Sequence, residues 1–420
     1  MRKKILFIGL CLILVVATSV LAAPKVTITY TRWAGTQEAR DFQALIDLFM
    51  EKNPNIKVET EFLPWDPYWN KLMTTIIGRT APDVISFSHQ MSAQYVSREA
   101  LYDMTKLPGV SKLLDEMQEG TRAAVMVNKK IYGMPVGAGV RAVIYNKALF
   151  DQAGLAYPDN EDPMTWDEFL KIAEKLTIKD KNGKVIQYAA NFHKREMWES
   201  LVVQAGGKFI DDYTKPTKIL INNKEGIAGL QFLRTMVEKK AIPPWEDDWE
   251  GAFGSPDSAV ATGKVAMMQA GPWSLGPLKD NNIKFGTCPL FMNKQRANRG
   301  YINFLAISRN SKNPQAAWKL IEWMCGDGQL DFTKTGDLPA NKNYLAAAQK
   351  ENPYGYPEEV MAAFFSELPY VITGPMVPTT ELITLTENTV QDLTSLRISP
   401  SEAAARIEEM GDEIIANIEY

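Results

Sequence analysis

Between Val26 and Phe62 the hydrophobic period switches from two to 3.6 and back to two, and this change of rhythm narrows the fold more than any other feature. Val26, Ile28 and Tyr30 alternate with Thr27 and Thr29 as a strand does. Phe42, Leu45, Ile46 and Phe49 then recur at helical spacing until Asn53-Pro54 stops the helix, and Ile56, Val58, Thr60 and Phe62 alternate again. A strand, helix and strand in so short a run read as a right-handed crossover in a mostly parallel sheet, because the strand twist lets the helix pack back only that way. Asp83-Val84-Ile85-Ser86-Phe87, behind Ala81-Pro82, is the next expected strand, so the opening third is α/β.

Val140 to Tyr145 reads as another short strand, entered through Gly137-Ala138-Gly139, where missing side chains permit sharp backbone changes. This is a candidate domain crossing. Thr165-Trp166-Asp167-Glu168 has the form of a capping box, with Phe169, Ile172, Ala173 and Leu176 as the buried face of its helix. Residues 225 to 239 form a further amphipathic helix, Asn313-Pro314 opens another, and the stretch from Pro400 is helical by composition. No internal repeat and no low-complexity linker separates these segments. Two domains without a flexible connector imply lobes that hinge about shared strands.

The first residues set the compartment. Arg2, Lys3 and Lys4 precede an apolar run from Ile5 to Val16, and Thr18, Ser19, Ala22 and Ala23 supply small residues for a signal peptidase. The run is shorter than the roughly 20 residues a spanning helix needs, so residues 1–23 read as a cleaved secretory signal and the mature chain as periplasmic or otherwise extracytoplasmic. Cys11 leaves with it. Loss of three basic residues and no acidic ones moves the formal charge from −4 to −7, and no basic stripe is visible, which argues against nucleic acid as a partner. Cys288 and Cys325 remain, and whether they pair is open. With His89 and His193 the only histidines, neither a metal centre nor a thiol–imidazole catalytic pair is expected, and no cofactor is.

Several segments, taken in order, resemble the extracellular solute-binding proteins of ABC sugar importers, the group that includes maltose-binding and glycerol-phosphate-binding proteins. Tyr132-Gly133-Met134-Pro135 with Val143 to Phe150 is similar to that family's first interlobe crossing, and Thr165 to Phe169 to a helix start in its second lobe. Gly263 to Met268 with Gly271-Pro272-Trp273 resembles its strand and ligand-facing turn. Ala306-Ile307-Ser308 through Trp318 resembles the segment after the second crossing, and Gly336 to Lys342 the third. Tyr301-Ile302-Asn303 departs from the glycines frequent there, which implies a bulkier pocket floor. The resemblance implies an α/β, two-lobed periplasmic-binding-protein fold with a ligand cleft between lobes joined by three crossing segments. The first lobe is expected at 24–140 plus 303–337 and the second at 141–302 plus 338–420. It also implies a carbohydrate ligand, a membrane-embedded ABC permease as partner, and a monomer.

A sugar has apolar faces and hydroxyl-crowded edges, so a sugar cleft needs flat rings and in-plane polar groups. Trp166, Trp318 and Trp323 lie in helical patterns and read as core, whereas Trp33, Trp65, Trp69, Trp198, Trp245, Trp249 and Trp273 fall in loops or at element ends. Trp33 follows the first strand, where open α/β sheets place ligands. Trp65 and Tyr68 follow the second; a hydrophobic lid is their alternative role. Trp198 and Trp249 are further ring candidates. The resemblance puts Trp273 at a ligand-facing turn, His89 at a polar contact or in a solvated loop, and Tyr301 and Asp337 on the second and third crossings. Arg141, at the first, either grips a ligand oxygen or forms a salt bridge between lobes. The run Trp245 to Glu250 lacks the spacing of a calcium loop and reads as a solvated acidic turn.

The rival reading is a secreted carbohydrate-active hydrolase using two carboxylates, for which Glu199 and Asp337 can be proposed. No serine elbow, His-Glu-x-x-His or Walker loop accompanies them, so a binder of a di- or oligosaccharide, not an enzyme, is expected. Whether that sugar is neutral or acidic stays open.

Overall fold

The computed structural model describes residues 26–418 apart from 90, 92–94, 96–98, 128, 214, 246–255 and 374–380. The expected signal at 1–23, and Trp249 with its acidic neighbours, lie outside the described residues.

The strands of the two large sheets, in chain order, are β1 (Val26–Trp33), β2 (Ile56–Leu63), β3 (Val84–Ser88), β4 (Met134–Gly139), β5 (Ala142–Asn146), β6 (Ile178–Lys179), β7 (Val185–Asn191), β8 (Val265–Ala270), β9 (Phe285–Cys288), β10 (Tyr301–Ile307) and β11 (Leu338–Pro339). One sheet runs β11-β4-β10-β3-β1-β2 and the other β9-β5-β8-β7-β6. The change of hydrophobic period at the start of the chain becomes a parallel β1–β2 pair, in register from Val26 opposite Ile56 to Trp33 opposite Leu63. The helix Thr36–Lys52 between them buries Phe42, Leu45, Ile46 and Phe49, and Glu38 starts it by accepting the Gly35 amide at 3.3 Å.

Each sheet has its own core. Phe42, Phe87, Phe304 and Trp318 belong to the first; Phe169, Trp198, Leu230 and Phe291 belong to the second. Burial of each such side chain contributes about 1.5–3 kcal/mol, so each lobe has apolar content of its own. Cys325 sits in the first core and Cys288 in the second, both as free thiols. A third, smaller cluster lies beneath the crossings and includes Ala138, Val140, Ala142, Leu338 and Phe364.

The chain passes between sheets at Val140–Arg141, from β4 to β5, so the strand expected at 140–145 begins two residues later. It returns through Asn298–Arg299 into β10; that short strand pairs with Val371–Ile372. Past residue 337 the chain stays on the first sheet: Leu338 and Pro339 pair with Ala138 and Gly137, and Lys342 donates to the Asp115 carbonyl at 2.8 Å. The helix Trp166–Leu176 has the capping box read from Thr165 and Glu168. The helix Pro314–Cys325 begins where expected, but the Asn313 side chain makes no cap bond and points to the Thr27 carbonyl at 3.4 Å.

Candidate ligand-binding cleft

The ends of strands from both sheets open on one cavity of about 890 Å³. On the first-lobe side, Arg32 and Trp33 end β1 and Ser88 ends β3. On the second-lobe side the helix Lys194–Gln204, which follows β7, presents Arg195, Glu196 and Glu199, while Trp273 sits in the Pro272–Ser274 turn after β8. Loops at the carboxyl ends of parallel strands are where such sheets hold ligands. Arg141 and Tyr301 reach the cavity from the first two crossings, and Asp337 from the residue before β11.

The rings divide sharply. Trp33 packs edge-on against Trp65 (centroids 5.0 Å apart) and stacks on Trp69 at 5.5 Å. Trp65 stands 39% exposed on the cavity wall. Across the cleft Trp273 is also 39% exposed, and its ring folds over Gly271, where any Cβ would meet it at 2.0 Å. Gly336, at φ +112°, lies against the backbone of Trp273, so a side chain there is doubly excluded.

Two expected contacts are corrected. Tyr68 does not line the cavity; its ring is buried in the first core and its hydroxyl donates to the Ser86 carbonyl at 2.5 Å. His89 does not line it either. It is buried behind β10, where Nδ1 accepts the Ile302 amide at 3.1 Å, and burial, followed by the nearby Arg299, lowers it to about 3. Trp69 and Trp198 are in helix interiors, not loops, and both are buried; Trp198 touches the cavity wall while its indole N–H donates to the Arg195 carbonyl at 3.0 Å. Each is the fifth residue of a helix that starts without a capping side chain, at Pro64 and His193, so neither helix start is marked in the sequence.

The floor is a charge lattice. Arg141 Nη1 donates to Glu196 Oε2 at 2.7 Å, and the Tyr301 hydroxyl donates to the same oxygen. The Arg141 guanidinium also lies 4.6 Å from the Tyr301 ring centroid. Burial acts to raise the Glu196 carboxyl, but Arg141, His193 and Arg299 outweigh it and hold it at about 2. Arg299 pairs with Glu199 at 3.0 Å, and burial, opposed by that arginine, leaves Glu199 above the usual carboxylate range. Asp337 accepts from Asn303 at 2.8 Å and faces Arg32 at 3.7 Å; Glu38 faces the same arginine at 3.7 Å. The two carboxylates of the hydrolase reading are therefore each held by an arginine.

Sequence reasoning missed Arg195, Glu196, Arg299 and Ser88 as wall residues and weighed Glu199 only as an acid. One available signal was the rule already applied to Trp33: His193 to Glu199 follows a strand end and packs five titratable side chains into seven residues.

Two lobes, each with its own sheet and core, that share chain crossings and a deep polar cleft define a protein built to enclose a small solute. Residues 44–357 match the profile of the bacterial extracellular solute-binding proteins, and the chain belongs to that family. Its members carry solutes and are not enzymes. The chain is similar to the maltotriose-binding protein of Pyrococcus abyssi, 25% identical over 340 residues that cover 78% of this chain and 70% of that one. It is similar also to the multiple sugar-binding protein of Streptococcus mutans, 26% identical over 318 residues, 71% of each. In structure it matches the ABC substrate-binding protein of Listeria monocytogenes in complex with cycloalternan, with a TM-score of 0.81, 25% identity, and coverage of 93% of this chain and 99% of that one. Among the described residues no helix is long and apolar enough to cross a membrane.

Proposed function

We propose that this chain captures an oligosaccharide in its cleft outside the cytoplasm and delivers it to a membrane-embedded ABC permease by hinge closure. The observation that carries this reading is the pair of half-exposed indoles, Trp65 on one lobe and Trp273 on the other, facing a single cavity floored by paired charges. Rings of that kind cover the apolar faces of a sugar, while Arg141, Glu196, Asn303 and Asp337 meet its hydroxyls. A cavity of about 890 Å³ lies near the upper end of the roughly 300–1,000 Å³ range of small-molecule sites, which favours more than one sugar ring. The names of the relatives point the same way.

Closure follows from differential contact: rings from both lobes engage one ligand only when the lobes approach, so the ligand stabilises the closed form. Residues 1–23 are the cleaved export signal, and the mature chain works as a monomer without nucleic acid. Of the lobes expected at 24–140 plus 303–337 and 141–302 plus 338–420, the first extends through the helix Lys342–Glu351 and the last crossing falls at about residues 352–357, because β11 and Lys342 bond to the first lobe. Thermal-shift screening of the mature protein against malto-, cello-, xylo- and galacto-oligosaccharides tests the reading. A raised midpoint without any product supports it; no shift with any sugar, or turnover of one, overturns it.

A further inference from the structure

We infer that the cleft selects a carbohydrate bearing no anionic group and rejects uronic-acid oligosaccharides and sugar phosphates, because the carboxylates on its wall outnumber the guanidiniums. This rests on the carbohydrate reading above and sharpens it.

Among the described residues, four arginines line the cavity, and each has an acidic partner there. Arg141 meets Glu196 at 2.7 Å, Arg299 meets Glu199 at 3.0 Å, and Arg195 meets Glu387 at 3.8 Å. Arg32 faces two, Glu38 and Asp337, each at 3.7 Å, beyond hydrogen-bond reach, so its charge is balanced while its buried Nε and Nη1 keep N–H groups without a hydrogen-bond partner among the described residues. Asp66 adds a sixth carboxylate at the mouth. Six carboxylates against four guanidiniums and His193, which lies 3.5 Å from Glu196, leave the described wall with at least one extra negative charge. A cleft with a net charge repels a ligand of the same sign, and its low-dielectric walls strengthen that repulsion.

Geometry adds to the charge balance. An incoming carboxylate or phosphate needs guanidinium forks, ideally bidentate, yet to supply one here Arg141 or Arg299 must leave a buried carboxylate uncompensated, a costly state. What the wall offers in plenty is acceptor oxygen, which suits the hydroxyl donors of a neutral sugar. Ser88 fits the same pattern. The residue lines the cavity and is 2% exposed, its hydroxyl has no hydrogen-bond partner among the described residues, and a hydroxyl can both donate and accept.

The test is competitive retention. Mature protein is incubated with an equimolar mixture of neutral malto-, cello-, xylo- and galacto-oligosaccharides and of oligogalacturonides and oligoguluronates of matched length, desalted, and its retained ligands are identified by mass spectrometry. The expected result is retention of a neutral species, with every acidic one at least tenfold lower. Retention of an acidic oligosaccharide at an equal or higher level overturns this inference and leaves the carbohydrate reading standing. Retention of no sugar overturns that reading, and this inference with it.

Discussion

Arg141 and Tyr301 lie on different interlobe crossings and donate to the same oxygen of Glu196, at the start of a second-lobe helix. Both chain passages are thus tied to one lobe through a single carboxylate, beneath the place where a ligand would lie.

Replacing that carboxylate isolates its worth. Glu196→Gln keeps the shape but leaves the buried Arg141 cation without its counter-charge, a change that typically costs about 3 kcal/mol or more. The variant is expected to melt several degrees lower and to bind ligand more weakly. Scanning calorimetry and titration calorimetry read the two effects separately; an unchanged midpoint would show that the carboxylate does not hold the crossings.

The rings give a contrast between binding and stability. Trp65→Ala and Trp273→Ala remove half-exposed indoles and are expected to cost clearly less stability than loss of a core tryptophan while weakening oligosaccharide binding at least tenfold. Trp69→Ala, in the same cluster but buried, is expected to cost about 3–5 kcal/mol. Denaturant titration alongside binding isotherms checks this, and a tryptophan whose loss affects stability and not affinity does not belong to the site.

Tyr68 tests the correction made to its role. Tyr68→Phe leaves the buried Ser86 carbonyl without its donor and is expected to lose about 1–3 kcal/mol of stability with ligand affinity unchanged. An affinity loss beyond twofold contradicts its placement in the core.

Stability should depend on pH through two buried groups whose windows overlap only at their acid end. His89 is neutral in the folded protein down to about 3 but titrates near its ordinary value when unfolded. The unfolded chain therefore binds a proton the folded one refuses, and stability falls as pH drops from about 6.5 towards 3, by up to about 1.4 kcal/mol per unit. Glu196, held at about 2, contributes stability present above the ordinary carboxylate range and lost as pH falls towards that value. The His89→Asn variant should flatten the upper part of this profile by close to one proton, measured by denaturant unfolding between pH 6.5 and 4. The same slope in both proteins contradicts the burial of His89.

The strand–helix–strand opening, the capping box at Thr165 and the first crossing were legible in the sequence, because each is written in neighbouring residues. So were Trp33, Trp65, Trp273, Arg141, Tyr301 and Asp337 as groups of one cavity, through strand ends and family resemblance. The charge lattice was not. Arg299 and Glu199 stand a hundred residues apart, and Arg141, Glu196 and Tyr301 meet only when the crossings fold together. Burial also separates residues of one type in ways spacing does not: Trp65 and Trp69 are a helical turn apart, and one faces the cleft while the other fills the core.

Closure of two ringed lobes on a sugar is best measured by small-angle X-ray scattering of the mature protein, free and saturated with the oligosaccharide it retains. The radius of gyration is expected to fall on saturation, and to remain at the free value in a Trp65→Ala, Trp273→Ala double variant at the same ligand concentration. An identical radius with and without bound ligand in the native protein contradicts the hinge.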